Sequence, residues 1–254
     1  MSAESLIVAA AMAVAAGLLG CFAVMRRMAL ASDALAHVAL PGIGIALALG
    51  IHPLAGAVAM LVFGALLVWA MEDRTGVATE AIVGVVFSTA LAVGSMLASG
   101  EDLIDALFGG AGALGWLEVV FGVGASVVVV AFVLRARHAL VVALVSPDLA
   151  RTSGVKLRRL NLVFLEMFAL TVSLGLRYLG VLLMGSLLIV PAAAARRLSR
   201  TMTEMLVVAA LVSVGATLGG TWLAARAGQE TGPMIVSLAA AAFAATLLVR
   251  RRDR

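Results

Sequence analysis

Cysteine is almost absent from this chain: Cys21 stands alone among 254 residues. That excludes a disulfide framework and any metal cluster built on several thiolates. Charge is scarce too. Asp, Glu, Lys and Arg make up 13% of the sequence, against about 25% in a soluble domain, which excludes an ordinary soluble globular protein and a disordered chain. The only lysine, Lys156, lies between Val155 and Leu157. No G-x-x-x-x-G-K-S/T phosphate loop can be built around it, so the chain does not hydrolyse ATP through one. H-E-x-x-H is missing, which removes the common membrane zinc-protease signature. Gly185-Ser186-Leu187 does not complete a G-x-S-x-G elbow, which removes the serine-hydrolase reading.

What is present is apolar surface. Hydrophobic residues form 63% of the chain, and mean hydropathy is +1.16. A bilayer-crossing helix takes about 20 residues, so the length leaves room for about eight to ten spans. Apolar runs place nine: Ser5–Met25, two within Ala34–Met71 separated by a turn at Gly50, His52 and Pro53, then Ala81–Gly100, about Leu117 to Leu134, Leu160–Leu176 interrupted by Glu166, Tyr178–Ala195, Met205–Ala225 and Met234–Val249. Eight spans plus a re-entrant segment near Gly109–Trp116 is the competing count. The expectation is an all-α, polytopic membrane bundle forming one domain over residues 1–254.

The N-terminus opens Ser2, Ala3, Glu4 without the basic stretch of a signal peptide, and its apolar run is long enough to span. Arg26 and Arg27 follow that run, so the positive-inside rule puts the N-terminus outside. Alternation from there leaves Arg177 and Arg226 outside and the other sixteen of the 18 basic residues inside, with the C-terminus inside. The net charge of +4 therefore reports orientation in a membrane and does not point to nucleic acid. Small residues let helices approach closely in lipid. Two stripes suit this: Gly42, Ala46 and Gly50, and the GxxxG of Gly215 and Gly219.

Ionisable residues inside spans are costly and are functional hypotheses by default. Asp33 and His37 stand four apart in Ser32-Asp33-Ala34-Leu35-Ala36-His37, so they share a helix face. Carboxylate plus imidazole suits zinc, manganese or iron(II). Measured from Arg27, Asp33 lies about 9 Å deep and His37 about 15 Å, at a rise of about 1.5 Å per residue. Pro41 denies the His37 carbonyl its helical donor and predicts a kink there; Pro191 is the other expected kink. The plain alternative is a structural Asp33–His37 pair. If the two are ligands, a cation needs more of them, and a two-fold homodimer would double the set. Glu166 reads as structural, His52 as a turn residue, His138 as an inner-loop residue, and Glu101, Asp102 and Asp105 as a solvated outer loop. The 12 methionines read mostly as core filler.

The longest inner connection runs from His138 to about Leu160. Within it Ser146 suits an N-cap, Pro147 the first helical position and Gly154 the stop. A short helix over Pro147-Asp148-Leu149-Ala150 follows, serving either as a lever against a motor subunit or as a plain capped loop.

Five stretches in order resemble one family. They are Arg26-Arg27-Met28 with Ser32 to His37 and Leu40-Pro41-Gly42; Glu80-Ala81-Ile82-Val83-Gly84; Leu107-Phe108-Gly109; Ser146 to Ala150 with Gly154-Val155-Lys156; and Leu179-Gly180 through Gly185 to Arg197. Together they resemble the zinc- and manganese-type ABC importer permeases, the ZnuB-like membrane subunits. The resemblance implies a homodimeric permease of the bacterial inner membrane, paired with two ATPase subunits and fed by an extracytoplasmic metal-binding protein. It implies that Asp33 and His37 lie on the path of a transported zinc or manganese ion, with no permanently bound cofactor and no catalysis by this chain. It further implies that Ser146, Pro147, Asp148, Leu149, Ala150 and Gly154 couple to the ATPase. Glu166 departs from the apolar residue expected there. The rival functions are an ion- or proton-coupled secondary metal carrier, a membrane metalloenzyme, and a cobalamin or siderophore permease.

Overall fold

Backbone amides in hydrocarbon must be satisfied within their own segment or within a closed sheet. The computed structural model describes residues 3–97 and 115–248, with backbone alone for 3, 30–33, 97 and 177–183. Helices are the only regular elements among them. They are α1 (Ala3–Met25), α2 (Ala29–His37), α3 (Ala39–Ala48), α4 (Pro53–Thr75), α5 (Thr79–Leu97), α6 (Trp116–Val145), α7 (Pro147–Thr152), α8 (Leu157–Leu198), α9 (Met202–Ala227) and α10 (Thr231–Leu248). Seven apolar stretches among the described residues are long enough to cross a membrane: those of α1, α4, α5, α6, α9 and α10, and Leu157–Leu176 of α8. The acidic outer stretch, the Leu107-Phe108-Gly109 motif and most of the expected re-entrant segment lie outside the described residues.

The expected nine spans are not reproduced as nine continuous helices, for three physical reasons. The second span breaks at Val38 into α2 and α3. Pro41 has no N–H for the His37 carbonyl, and the Val38 N–H turns back to Leu35 at 3.1 Å. Secondly, α6 does not stop near Leu134 but runs on to Val145. Arg135 and Arg137 end the apolar run without ending the helix, because Ala139–Leu144 continues in good helix formers. The expected long inner loop shrinks accordingly. Thirdly, the sixth and seventh spans share α8, and Pro191 lies inside that helix without ending it. Met184, however, fills the space that a Cβ on Gly175 would occupy. Nine residues of straight helix would put about 13 Å between them, so α8 is not straight between these residues, where Arg177 marked a span boundary.

α1 is the most buried of the spans, with 72% of its apolar window inside the bundle, and it packs on α6, α8 and α9. Its sequence explains why. Ala9, Ala13, Ala16, Gly17 and Gly20 carry little or no side chain, so neighbours come within backbone contact. A Cβ on Gly17 would sit 2.8 Å from the Ala209 carbonyl oxygen of α9, and one on Gly20 would overlap the Leu188 carbonyl of α8. Carbonyls of a packed helix cannot swing away as a side-chain tip can. Gly20→Ala is therefore expected to destabilise the bundle by about 1–3 kcal/mol, read as a lower unfolding temperature of the detergent-purified chain. An unchanged temperature would show that α1 and α8 have room to separate.

The small-residue stripes are used selectively. Gly42 and Ala46 of α3 lie against Gly56 of α4, a crossing inside the chain. Gly50 instead ends α3, with φ +67° and the Ile51 N–H donating to the Ala46 carbonyl at 2.9 Å. Gly219 packs on Leu238 of α10, while Gly215 faces open space.

Candidate metal path and candidate coupling helix

The broken second span carries the candidate ligands. Asp33 lies on α2 one turn before His37, the last residue of that helix. His37 is half-buried, and its ring meets Phe87 of α5 with centroids 5.5 Å apart and planes 59° apart. An imidazole at a helix break is placed where non-helical backbone is tolerated only beside protein or a water-filled cavity. Among the described residues no three of His, Cys, Asp and Glu converge on one point. The other histidines lie elsewhere. His52 caps α4, its Nδ1 accepting the Leu54 N–H at 3.3 Å, as its reading as a turn residue expected. His138 is exposed on α6, its Nε2 accepting from Arg137 Nε at 3.3 Å. Glu166 is half-buried on α8, and its Oε1 finds no hydrogen-bond partner among the described residues. Cys21 is buried, its thiol donating to the Gly17 carbonyl at 3.3 Å.

The short helix between α6 and α8 forms as its residues require. The Ser146 hydroxyl accepts the Leu149 N–H at 3.2 Å, and Pro147 takes the first helical position. At the other end Gly154 adopts φ +79°, and the Val155 N–H donates to the Ala150 carbonyl at 2.9 Å. This is a six-to-one closure that needs a left-handed residue. Ala150 is fully buried and anchors α7. Asp148, Leu149 and Arg151 face outward, with Asp148 and Arg151 paired at 3.3 Å. The helix thus offers a polar-and-apolar outer face on a rigid base.

One cluster was not foreseen. Arg26, Glu72, Thr79 and Asn161 meet where α1 passes into α2, α4 ends, α5 begins and α8 begins. Arg26 Nη1 donates to Asn161 Oδ1 at 3.0 Å, Asn161 Nδ2 reaches Glu72 Oε1 at 3.5 Å, and the Thr79 hydroxyl donates to the same oxygen at 2.9 Å. The Arg26 guanidinium lies 4.3 Å from the centre of the Phe164 ring. Burial holds its pKa below the usual range, and the Glu72 carboxylate offsets only part of that shift. Beside it, Arg158 pairs with Asp73 at 3.0 Å and stacks over Trp69, whose indole N–H donates to the Arg158 carbonyl at 3.0 Å. A cavity of about 690 Å³ lies between these groups and Pro147 and Arg151 of α7. The sequence signal was available: Glu72 and Asn161 are polar residues near span ends, but Arg26 reads first as an orientation marker.

Arg27, next in line, has φ +62°. The Met28 N–H closes onto the Ala23 carbonyl at 2.9 Å, the same helix end that glycine makes at Gly50 and Gly154. A side chain in this conformation costs roughly 1–2 kcal/mol. The strain sits at the elbow that leads into the helix of Asp33 and His37.

A family model described as the ABC 3 transport family matches residues 1–250. The chain belongs to that family. Among its relatives is the "High-affinity zinc uptake system membrane protein ZnuB" of Haemophilus influenzae, 31% identical over 241 residues, with 92% of each chain covered. Another is the "Manganese import system permease protein ScaB" of Streptococcus gordonii, 26% identical over 255 residues, covering 99% of this chain and 92% of that one. The solved "PsaBC from Streptococcus pneumoniae in complex with Fab" shares the fold with a TM-score of 0.83 at 23% identity, covering 96% of this chain and 90% of that one. With seven stretches among the described residues apolar and long enough to cross a membrane, this member of the ABC 3 family is a multi-pass protein of the bacterial inner membrane.

Proposed function

We propose that this chain is the permease subunit of an ATP-binding-cassette importer that carries a divalent transition metal, zinc or manganese, into the cell. The observation that carries the reading is His37, an imidazole held at a helix break within the apolar bundle of a chain whose relatives are named for zinc and manganese uptake. Asp33, one turn earlier, supplies the matching carboxylate. Two ligands are too few for a cation that takes four or more. Two copies about a two-fold axis bring two of each, and a loose set of this kind lets the ion leave again. Iron(II) shares these ligand preferences.

The remaining parts take their roles from chemistry. A chain without a phosphate loop needs a separate ATPase, and α7 presents Asp148, Leu149 and Arg151 as the face for it, one copy per permease. Closure of the motor pair shifts α7 and switches the path between outward and inward access. An extracytoplasmic binding protein delivers the ion to the outer mouth. The arginine-rich ends of α1 and α8 face the cytoplasm, with the N-terminus outside and the C-terminus inside, and residues 1–254 act as one domain.

The test is uptake of radioactive zinc and manganese into proteoliposomes holding the permease, its ATPase and its binding protein. Accumulation of one of these ions that requires ATP is expected. Accumulation that proceeds without ATP and collapses with the proton gradient would replace this reading with a secondary carrier.

A further inference from the structure

One surface of the bundle plays no part in this scheme. α1 and α6 leave between them an open groove of about 630 Å³, lined by Ala11 and Val14 of α1 and by Ser126, Val127, Val130 and Arg135 of α6. Its walls are apolar. The one hydroxyl, on Ser126, is already donating to the Gly122 carbonyl at 2.7 Å. The one charge is Arg135, which is exposed and has no ion-pair partner among the described residues.

Helix arithmetic fixes the depth of this groove. From Trp116, exposed at the start of α6, to Arg135 is nineteen residues, or about 28 Å, which matches a hydrocarbon core about 30 Å thick. An interfacial tryptophan and an interfacial arginine thus bracket the core on this helix. From Ser126 to Arg135 is nine residues, or about 13 Å. The groove therefore reaches from the bilayer midplane to the headgroup level of a single leaflet, with its charge at the headgroup end.

We propose that this groove is a phospholipid site: one acyl chain lies between α1 and α6, and the phosphate of an anionic headgroup rests on Arg135. An extended acyl chain is slim, apolar and tipped by the charge that Arg135 lacks. Basic side chains at such a position recognise anionic headgroups. The site does not depend on what the protein transports.

Native mass spectrometry of the detergent-purified full chain, titrated with phosphatidylglycerol or phosphatidylethanolamine, tests it. The wild-type chain is expected to retain phosphatidylglycerol about fivefold better than Arg135→Gln does, the contribution of one basic residue near a membrane surface. Ala131→Phe, which fills the groove, is expected to lose both lipids. Arg226→Gln, on another helix and paired with Trp222 at 4.2 Å, is the control expected to change nothing. Equal retention by wild type and Arg135→Gln overturns the headgroup assignment. Loss of a chain dimer, without loss of lipid, on Ala131→Phe shows that a second copy fills the groove and overturns the site. A folded Ala131→Phe chain that keeps its lipid overturns it as well.

Discussion

Replacing His37 with alanine is expected to lower metal uptake by the assembled transporter by about 10–100-fold, the range seen when even the supports of a metal ligand are removed. His37 ends α2, and the break at Val38 that positions it comes from the backbone, through Pro41 and the early turn to Leu35. Removing the imidazole therefore leaves the kink in place and takes away a nitrogen donor. The Phe87 ring, 5.5 Å away, would lose a packing neighbour, which is a minor term beside loss of a ligand. Asp33→Ala should fall in the same range if both residues hold one ion. Basal ATP hydrolysis by the assembled complex separates the two failure modes. Uptake lost with basal hydrolysis kept is the signature of a path residue. Wild-type uptake in His37→Ala would remove the imidazole from the path.

Much of this architecture could be read from the chain because lipid leaves so few options. A charge-free run in a bilayer becomes a helix, which is why α1, α4, α5, α9 and α10 fall within a few residues of the runs that predicted them. Local chemistry was equally legible. Ser146 caps, Pro147 starts and Gly154 stops α7 by interactions that span only a few residues, and Pro41 acts on the carbonyl four residues back. What could not be read depends on distant partners. Gly20 matters because Leu188 comes to it from α8, and nothing within one turn of Gly20 announces that contact. The GxxxG motif illustrates the converse. Gly215 meets nothing, whereas Gly220, outside the motif, lies against the Ile235 backbone of α10. Spacing shows which residues are small; only packing shows which small residues face a neighbour. The candidate ligands were found because an ionisable residue in a span is conspicuous, whereas Glu72 and Asn161 lie near span ends where polar residues are ordinary.

That overlooked cluster carries the other large expected effect. Glu72→Ala should destabilise the bundle by about 1–3 kcal/mol, the penalty for leaving partly buried polar and charged partners unsatisfied. Glu72 is the group on which two donors converge: it accepts from Thr79 at 2.9 Å and from Asn161 at 3.5 Å, while Asn161 in turn accepts from Arg26 at 3.0 Å. Without the carboxylate, the Arg26 guanidinium keeps Asn161 and the Phe164 ring at 4.3 Å but loses its nearby negative charge. Arg158 and Asp73, paired at 3.0 Å but more exposed, cannot compensate, because exposed pairs contribute little. Arg26 leads into the Asp33–His37 helix and Asn161 lies on α8 just beyond α7, so under the proposed function a loosened cluster should also weaken the link between α7 and that helix. Two measurements distinguish a coupled network from four independent contacts. Thermal unfolding of Glu72→Ala, Arg26→Ala and the double variant should give a coupling energy of about 0.5–3 kcal/mol. In the assembled complex, Glu72→Ala should lower the number of ions carried per ATP more than it lowers ATP hydrolysis. Additive stabilities with an unchanged transport ratio would reduce the cluster to surface decoration.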